Sequence, residues 1–287
     1  MRQILKTIQE NNVNYRSVIK RSKVIMKTGE SYIRVIIPVR NRDDFIEPTI
    51  RSLNSWKGEV AITLVEHDRK LKHKNKCKKL GVDYIGIKAK RDEPFNKCLA
   101  FNVGVLVSGN SEWLLMHDVD CMVQDRFFTN LLKNAHRHRS GAIQSFNKRR
   151  VLYCTDWLSK SLIRGVTDVN DLNEDSDGIF TCEGKAPGGS IFIKRDLFFT
   201  VGGYDPELFH GYSPEDRFFW DKVCVFGEIC SANNPITDIF HLHHEYMGNT
   251  NPQFKKMLKI ANAFGKLGYI NKCEVIKYKQ EILSSWL

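Results

Sequence analysis

The sequence predicts an α/β fold in which helices cover a mainly parallel central sheet. Short apolar runs alternate with segments of helical character between residues 34 and 116. Such alternation is typical of parallel sheets, because a helix usually connects one parallel strand to the next. In addition, polar clusters follow directly after two of the predicted strands. Since ligands of such sheets bind beyond the carboxyl ends of the strands, both clusters are expected at one rim.

The predicted elements of the first half are short and regular. The apolar runs are rich in β-branched residues, as expected of strands buried on both faces. Two of the intervening segments repeat apolar residues three or four positions apart, which indicates helices packed on a core, and the third is polar and lysine-rich. Strands are predicted at 34–39, 60–65, 84–87 and 113–116, and helices at 45–56, 70–80 and 95–107.

The pattern is less regular in the second half. Residues 165–189 are rich in Asp, Asn, Gly and Ser and predict a long loop, which in a compact domain is usually functional or mobile. Further strands are predicted at 190–193 and 236–242, and a helix from Pro214 to Val225 opens with acidic residues. A lysine-rich amphipathic helix is predicted from Phe254 to Phe264, either docked on the core or lying on a membrane surface.

The 287-residue chain has the composition of a soluble globular protein, with 42% hydrophobic and 27% charged residues. The net charge of +11 is concentrated at the ends of the chain. Residues 1–30 carry seven Lys or Arg against two Glu, and residues 255–287 carry seven Lys against two Glu. The predicted organisation is therefore a basic N-terminal extension (1–30), a central domain (31–254) and a basic amphipathic C-terminal helical extension (255–287).

This charge distribution bears on the partners of the protein. A nucleic-acid enzyme usually carries basic residues along its working cleft, whereas this chain is close to neutral between its two ends. Nucleic acid is therefore not an expected partner. The basic ends could be arms that bind an anionic surface such as a membrane leaflet. An equally good interpretation is that their charge only keeps the protein in solution.

The sequence also predicts a compartment. It contains no run of about 18 apolar residues, so no transmembrane helix is expected, and the polar N-terminus lacks the apolar centre of a secretory signal. The eight cysteines are scattered without a Cys-x-x-Cys pair, which is typical of reduced thiols. These features predict a cytoplasmic protein, with peripheral contact at the inner membrane as an addition.

The first candidate cluster is Asp118-Val-Asp120, which follows a predicted buried strand. Two carboxylates with one spacer can hold a hard divalent cation while that ion bridges a diphosphate. The alternative interpretation is a solvated turn. The position at the ligand-binding rim favours the metal.

The second cluster is His241-Leu-His-His244, at the end of a predicted strand. Histidine is the commonest side-chain ligand of transition metals. On a strand, His241 and His243 share one face, and one histidine of the run could complete a metal shell begun by Asp120. A separate zinc site is the alternative, but no second pair of ligands stands at the spacing of a zinc finger.

The third cluster, Gly211-Tyr-Ser-Pro-Glu-Asp216, precedes a predicted helix. A carboxylate at a helix N-terminus is held by backbone N–H groups and can accept a proton from an attacking hydroxyl. A plain acidic first turn is the alternative. Pro187-Gly-Gly189, just before a predicted strand, would let the backbone approach a ligand closely.

Together and in this order, these motifs resemble the β-1,4-galactosyltransferase family and related bacterial galactosyl- and N-acetylgalactosaminyltransferases of the GT-A fold. The resemblance covers about residues 33–254. The matching runs are Ile36–Arg42, Phe95–Lys97, Asn102–Gly104, Asp118–Asp120, Gly188–Gly189 with Gly203–Asp205, Gly211–Asp216 and Asn251–Gln253.

The resemblance implies a GT-A type nucleotide-diphospho-sugar transferase that is metal-dependent and inverts the anomeric centre. Its donor would be UDP-Gal or UDP-GalNAc, and its acceptor a glycan or glycolipid, in the setting of polysaccharide biosynthesis. The expected cofactor is Mn²⁺, with Mg²⁺ as the second choice. The family completes its metal shell with a Met and a His three residues apart, so His244 is the first choice beside Asp120 and His241 the second.

The remaining roles also come from the resemblance. Asp216 would be the general base, and Glu215 would bind sugar hydroxyls. Tyr212 would contact the acceptor. The residues expected to bind the donor are Val39, Arg40, Arg42, Asp118, Gly188 and Gly189.

The chain departs from the family at two points. Tyr212 stands where the family has Trp, and Ser213-Pro214 replace a Gly-Gly pair, which predicts a stiffer acceptor loop. Ala186 and Pro187 stand where the family has an aromatic residue, and a small side chain there leaves room for the N-acetyl group of UDP-GalNAc. The alternatives to an inverting enzyme are a retaining transferase of the same fold, a sugar-binding module without activity and a basic nucleic-acid-binding protein.

Overall fold

The computed structural model describes residues 1–26, 29–54, 59–138, 142–144, 151–181, 188–226, 229–231, 238–245 and 251–284. Eight strands form one large sheet in the order β1-β4-β3-β2-β5-β10-β7-β11. Their bounds are β1 Lys23–Ile25, β2 Ile33–Val39, β3 Val60–Asp68, β4 Asp83–Lys88, β5 Trp113–His117, β7 Ala142–Gln144, β10 Ser190–Lys194 and β11 Ile229–Ser231.

The centre of this sheet is the parallel block that the sequence predicts. β2 pairs in parallel with β3 on one side and with β5 on the other, and β4 continues the block beyond β3. β10 then pairs antiparallel with both β5 and β7, and β1 pairs antiparallel with β4. The sheet is therefore mixed, because strands from the second half and from the N-terminus are added to both sides of the parallel block.

A second sheet of four strands has the order β6-β12-β8-β9. Its strands are β6 Cys121–Val123, β12 Ile239–His241, β8 Leu152–Cys154 and β9 Ile179–Thr181. β6 begins immediately after Asp120, so this sheet extends the rim at which β5 ends. The sequence did not predict β6, β8 or β9, because strands of three residues leave too little apolar periodicity to recognise.

Eleven helices lie within the described residues. Their bounds are α1 Arg2–Glu10, α2 Tyr15–Arg21, α3 Asp43–Leu53, α4 Lys74–Leu80, α5 Lys97–Val107, α6 Phe127–His138, α7 Asp156–Arg164, α8 Arg195–Thr200, α9 Glu215–Phe226, α10 Phe254–Gly265 and α11 Tyr269–Ser284. The predicted long loop at 165–189 contains the strand β9 and a short 3₁₀ helix, Val169–Asp171, and its residues 182–187 lie outside the described part of the chain.

β2 shows why the strands near the site read as continuous apolar runs. All seven of its residues are buried. Ile36 packs into a core shared with α5, whereas Val35 and Ile37 pack into a second core shared with α3. Successive side chains of a strand point to opposite faces, so a strand covered on both faces needs an apolar residue at nearly every position.

Both ends of the chain contribute to the core beside α5. Ile4 and Ile8 of α1 are buried there, as are Phe264 of α10 and Ile276 of α11. The lysines that make these segments basic mostly lie on their outer faces. The predicted limits of the two extensions stay predictions. Among the described residues, no helix is both long and apolar enough to cross a bilayer.

Candidate active site

The site lies where the parallel strands end. β2 ends at Val39 and β5, its neighbour, ends at His117, so the segments that follow them lie at the same edge of the sheet. Asn41, directly after Arg40, has a φ of 54°, which turns the chain sharply before α3 begins. The two polar clusters of the sequence are thus brought to one rim, as the parallel topology predicts.

Asp120, His241 and His244 form a compact group with the character of a metal site. Their ligand atoms lie within 4.8 Å of one another. Oδ2 of Asp120 lies 3.1 Å from Nε2 of His244, and Oδ1 lies 3.8 Å from Nε2 of His241. The backbone sets this arrangement, because β12 pairs with β6 at His241 and Cys121, and the N–H of Leu242 donates to the carbonyl of Asp120 at 2.8 Å.

His243 does not join this group. β12 ends at His241, so the alternation that would place His243 on the same face stops there. His243 is exposed, and its backbone N–H donates to Oγ of Ser159 at 2.7 Å. His244, in contrast, contacts the carboxylate of Asp120. The two histidines predicted as metal ligands, His241 and His244, therefore both lie beside Asp120.

The electrostatics of the group favour an ionised Asp120 carboxylate and a neutral His241 ring, and they favour a proton on His244. Burial by itself would raise the pKa of Asp120, but His241, His244 and Arg42 together lower it below its ordinary value. Burial lowers the pKa of His241, whereas the hydrogen bond with Asp120 raises that of His244. One carboxylate and two imidazole nitrogens suit a first-row transition ion better than Mg²⁺, which prefers an all-oxygen shell.

A second cluster is built around Lys97, the first residue of α5. Its Nζ lies 2.9 Å from Oδ1 of Asp118, 3.1 Å from Oδ2 of Asp216 and 3.4 Å from Oε1 of Glu215. One ammonium thus joins the segment after β5 to the first turn of α9. Lys97 belongs to the run Phe95–Lys97 that resembles the family, but the sequence predicts no role for it, because its partners are far away in the chain.

Two carboxylates of this cluster, those of Glu215 and Asp118, have raised pKa values. Burial raises the pKa of Glu215 to about 7, and the neighbouring charge of Asp216 adds to this effect. Burial also raises the pKa of Asp118 to about 6, although Lys97 opposes the increase. Three carboxylates share one cation, so the cluster has room for a proton near neutral pH. Oη of Tyr204 donates to the other carboxylate oxygen of Asp216 at 3.3 Å.

The glycine pair Gly188-Gly189 lies against two members of the Lys97 cluster, Asp216 and Asp118. A Cβ atom at Gly188 would lie 2.2 Å from Oδ2 of Asp216, so no larger residue fits while that carboxylate keeps its place. Gly189 has a φ of 91°, and its carbonyl accepts the N–H of Asp118 at 2.8 Å. The preceding Ala186 and Pro187, on which the donor prediction rests, lie outside the described residues.

The two arginines predicted to bind the donor take different directions. Nη1 of Arg40 donates to the carbonyl of Glu93 at 2.8 Å and so holds the segment before α5. The guanidinium of Arg42 lies 5.6 Å from the ring centre of Phe45, on the side of Asp120. Val39, the last residue of β2, has a fully buried side chain, so only its backbone can face the rim.

Tyr212 lies at the outer edge of the site. Its ring stacks on that of Phe254 with 5.5 Å between the centroids. Nδ2 of Asn251 donates to the carbonyls of Tyr212 at 2.7 Å and of His210 at 2.9 Å. The short run that begins at Asn251 therefore ties the loop of Tyr212 to the start of α10.

The comparisons with known proteins bear on the fold. No family model and no curated protein matches the chain. The structure of residues 1–349 of S. aureus TarS in complex with UDP-GlcNAc superposes at a TM-score of 0.53 and 13% identity, over 88% of this chain and 72% of that one. A longer structure of S. aureus TarS gives 0.54 at 14% identity, over 85% of this chain and 42% of that one.

The catalytic domain of Drosophila β1,4-galactosyltransferase 7 in complex with xylobiose gives a TM-score of 0.49 at 14% identity, over 82% of this chain and 80% of that one. The likeness to TarS extends over most of the chain. The chain therefore has the mixed α/β fold of GT-A type glycosyltransferases.

Proposed function

We propose that the protein is a metal-dependent inverting glycosyltransferase that moves Gal or GalNAc from a UDP-sugar to a glycan or lipid-linked acceptor. One observation carries this proposal. Asp120 contacts both histidines, and Asp118, two residues earlier, contacts the Lys97 that also holds Glu215 and Asp216. A site that activates a diphosphate leaving group next to a proton acceptor needs these two clusters side by side.

Asp120, His244 and His241 are proposed to hold the ion, expected to be Mn²⁺, which when bound offsets the charge of the departing diphosphate. Arg42 lies close enough to Asp120 to add positive charge on the same side. Arg40, which follows Val39 and donates to the carbonyl of Glu93, is proposed to contact the nucleotide. The backbone of Gly188 and Gly189, which lies against Asp216 and Asp118, is proposed to contact the donor sugar there.

Asp216 is proposed as the general base. Its carboxylate takes the proton of the acceptor hydroxyl while the hydroxyl oxygen forms a bond to the anomeric carbon and the bond from that carbon to the UDP oxygen breaks. Attack from the face opposite the leaving group turns an α-linked donor into a β-linked product. Lys97 and Tyr204 hold the two oxygens of Asp216. Glu215, which also contacts Lys97, is proposed to bind a second hydroxyl.

The first experiment measures UDP release by the purified protein from UDP-Gal, UDP-GalNAc, UDP-GlcNAc and UDP-Glc, with Mn²⁺ or with EDTA. UDP-GlcNAc is included because it is the ligand of the similar TarS structure. We expect Mn²⁺-dependent hydrolysis of Gal or GalNAc donors that Asp120→Ala abolishes. The absence of both UDP release and UDP binding by calorimetry would overturn the proposal.

A second experiment separates inversion from retention. Asp216→Asn keeps the size of the side chain but removes its ability to accept a proton. An inverting enzyme then loses transfer by about 10²-fold or more. Near-normal transfer by Asp216→Asn, with an α-linked product by NMR, would favour a retaining enzyme instead.

Peripheral membrane contact is the remaining part of the proposal, together with a cytoplasmic location. The membrane contact is supported by the exposed side chains of α10 and of the first turn of α11. They combine lysines with apolar and aromatic residues, as helices that lie on a membrane surface do. The exposed residues are Lys255, Lys256, Lys259, Lys266, Tyr269 and Ile270. Sedimentation with phosphatidylglycerol vesicles should remove the protein from solution, and Ile270→Asp should weaken this. Equal behaviour with phosphatidylcholine vesicles would contradict an electrostatic contact.

A further inference from the structure

A row of aromatic rings crosses the second sheet and ends at the histidines. Tyr153 of β8 and Phe180 of β9 are paired residues, and their rings stack 5.6 Å apart at an angle of 22°. The ring of Tyr153 also lies 5.0 Å from that of His241 on the next strand. The row therefore runs from the outer strand of this sheet to the group formed by Asp120, His241 and His244.

Trp157, in the first turn of α7, adds a third large ring near the outer end of this row, next to Gly178. A Cβ atom at Gly178 would lie 2.5 Å from Cζ2 of Trp157, so the indole rests directly against backbone two residues before Phe180. Gly178 has a φ of 81°, which a side chain would also oppose. We call Tyr153, Trp157 and Phe180 the aromatic shelf.

The exposure of the shelf is not explained by folding. Trp157 is 56% exposed and Phe180 47% exposed. The core beneath them is already formed by other side chains, among them Leu152, Leu158 and Phe240, which are buried. Large aromatic surface left in water next to a rim of polar groups is typical of a binding site.

The charges around the shelf indicate what it binds. Asp156 and Lys160, at the same end of α7, form an ion pair with 2.6 Å between Oδ2 and Nζ, and Asp175 and Asp177, just before Gly178, are exposed. These residues leave no surplus of cations beside the shelf. A polyanion or an anionic lipid would require a surplus of cations here. A neutral ligand with flat apolar faces and a polar rim fits, and pyranose rings have this character.

We propose that the aromatic shelf binds the sugar rings of the acceptor glycan that precede its reacting end. This inference rests on the proposed glycosyltransferase function and adds an acceptor subsite on the second sheet, beside His241 of the metal group. Stacking on Trp157 and Phe180 holds the glycan chain along the second sheet, and Tyr153 forms the end of the shelf that contacts His241. Chain length of the acceptor then contributes to affinity.

The test uses the full chain and labelled chitohexaose, xylohexaose and maltohexaose, with and without UDP and Mn²⁺. At least one of these glycans should bind to the wild type. Trp157→Ala and Phe180→Ala should each weaken that binding by about tenfold, because an aromatic contact of this kind contributes on that scale. UDP affinity should not change. Phe226→Ala is the matched control, since Phe226 is a similarly exposed ring at the end of α9, at 42%.

Three results would overturn the proposal: no binding of any of the three glycans, equal binding by the shelf variants and the wild type, or a wild-type dimer that Phe180→Ala converts to a monomer. The last would make the shelf an interface between copies. The function of the donor site is tested separately by UDP binding. Glycan binding lost in the shelf variants of a protein that never binds UDP would support the shelf and reject the transferase.

Discussion

Nζ of Lys97 lies 3.1 Å from Oδ2 of Asp216, although the two residues are 119 positions apart in the chain. This contact joins the start of α5 to the start of α9, and the same ammonium reaches Asp118 after β5. Lys97 is therefore the residue that holds the proposed donor and base sides of the site together.

Replacement of Lys97 by Met should affect both stability and turnover. It leaves Asp118, Glu215 and Asp216 close together without their cation, and removal of one partner from a buried ion pair costs about 3–5 kcal/mol. Urea denaturation should show this loss, and UDP release should become undetectable. Lys97→Arg should keep most of the stability because it keeps the charge. Lys160→Met, which breaks only the exposed pair with Asp156, should unfold at the wild-type urea concentration.

The histidines next to Asp120 give a prediction with an internal control. His244→Ala and His241→Ala each remove a nitrogen from the group and should weaken Mn²⁺ binding by more than about tenfold, since even changes outside the ligand shell have effects of that size. His243→Ala removes a neighbouring imidazole that lies outside the group and should bind Mn²⁺ normally. Calorimetric or paramagnetic titration measures this, and equal loss in all three variants would reject the assignment.

Gly188→Ala tests the close approach of the backbone to Asp216. The added methyl group would occupy the place of Oδ2 of Asp216, so this carboxylate must move. Displacement of a reacting group by about 1 Å costs about 10²-fold in rate, and kcat should fall accordingly while the protein stays folded. Gly268→Ala is the control, because nothing lies within 4 Å of the added atom. An unchanged kcat would show that Asp216 is not held at this position during catalysis.

His117 at the end of β5 predicts a dependence of stability on pH. Burial lowers its pKa to about 4, and its two ring nitrogens are bonded to Oγ of Ser190 and the carbonyl of Cys121. The unfolded chain takes up this proton near pH 6.5, whereas the folded protein does not until about pH 4. His117 therefore contributes full stability above about pH 6.5 and loses about 3 kcal/mol of it as the pH falls to about 4.

Urea denaturation at several pH values between these limits measures the effect. His117→Asn should unfold with a smaller slope of free energy against pH in this window, whatever its stability at neutral pH. A variant with the wild-type slope would mean that other groups cause the acid sensitivity.

Some features of the site could be read from local sequence because they depend on neighbouring residues alone. The apolar run that ends at Val39 and the one that ends before Asp118 identify buried strands, since burial on both faces requires apolar side chains throughout. In a parallel sheet the ends of such strands meet at one edge. The α/β class, the common rim and the placing of Asp118 and Asp120 there follow from these two facts.

Only the tertiary structure decided which distant residues meet at that rim. Lys97 and Asp216 are both polar residues at predicted helix starts, and no local pattern shows that they touch. β10 pairs antiparallel with β5, which places Gly189 against Asp118. β12 ends at His241, so His243 lies outside the metal group while His244 contacts Asp120. Such contacts depend on how strands far apart in the chain are ordered and paired, and a residue's own neighbours carry no record of that order.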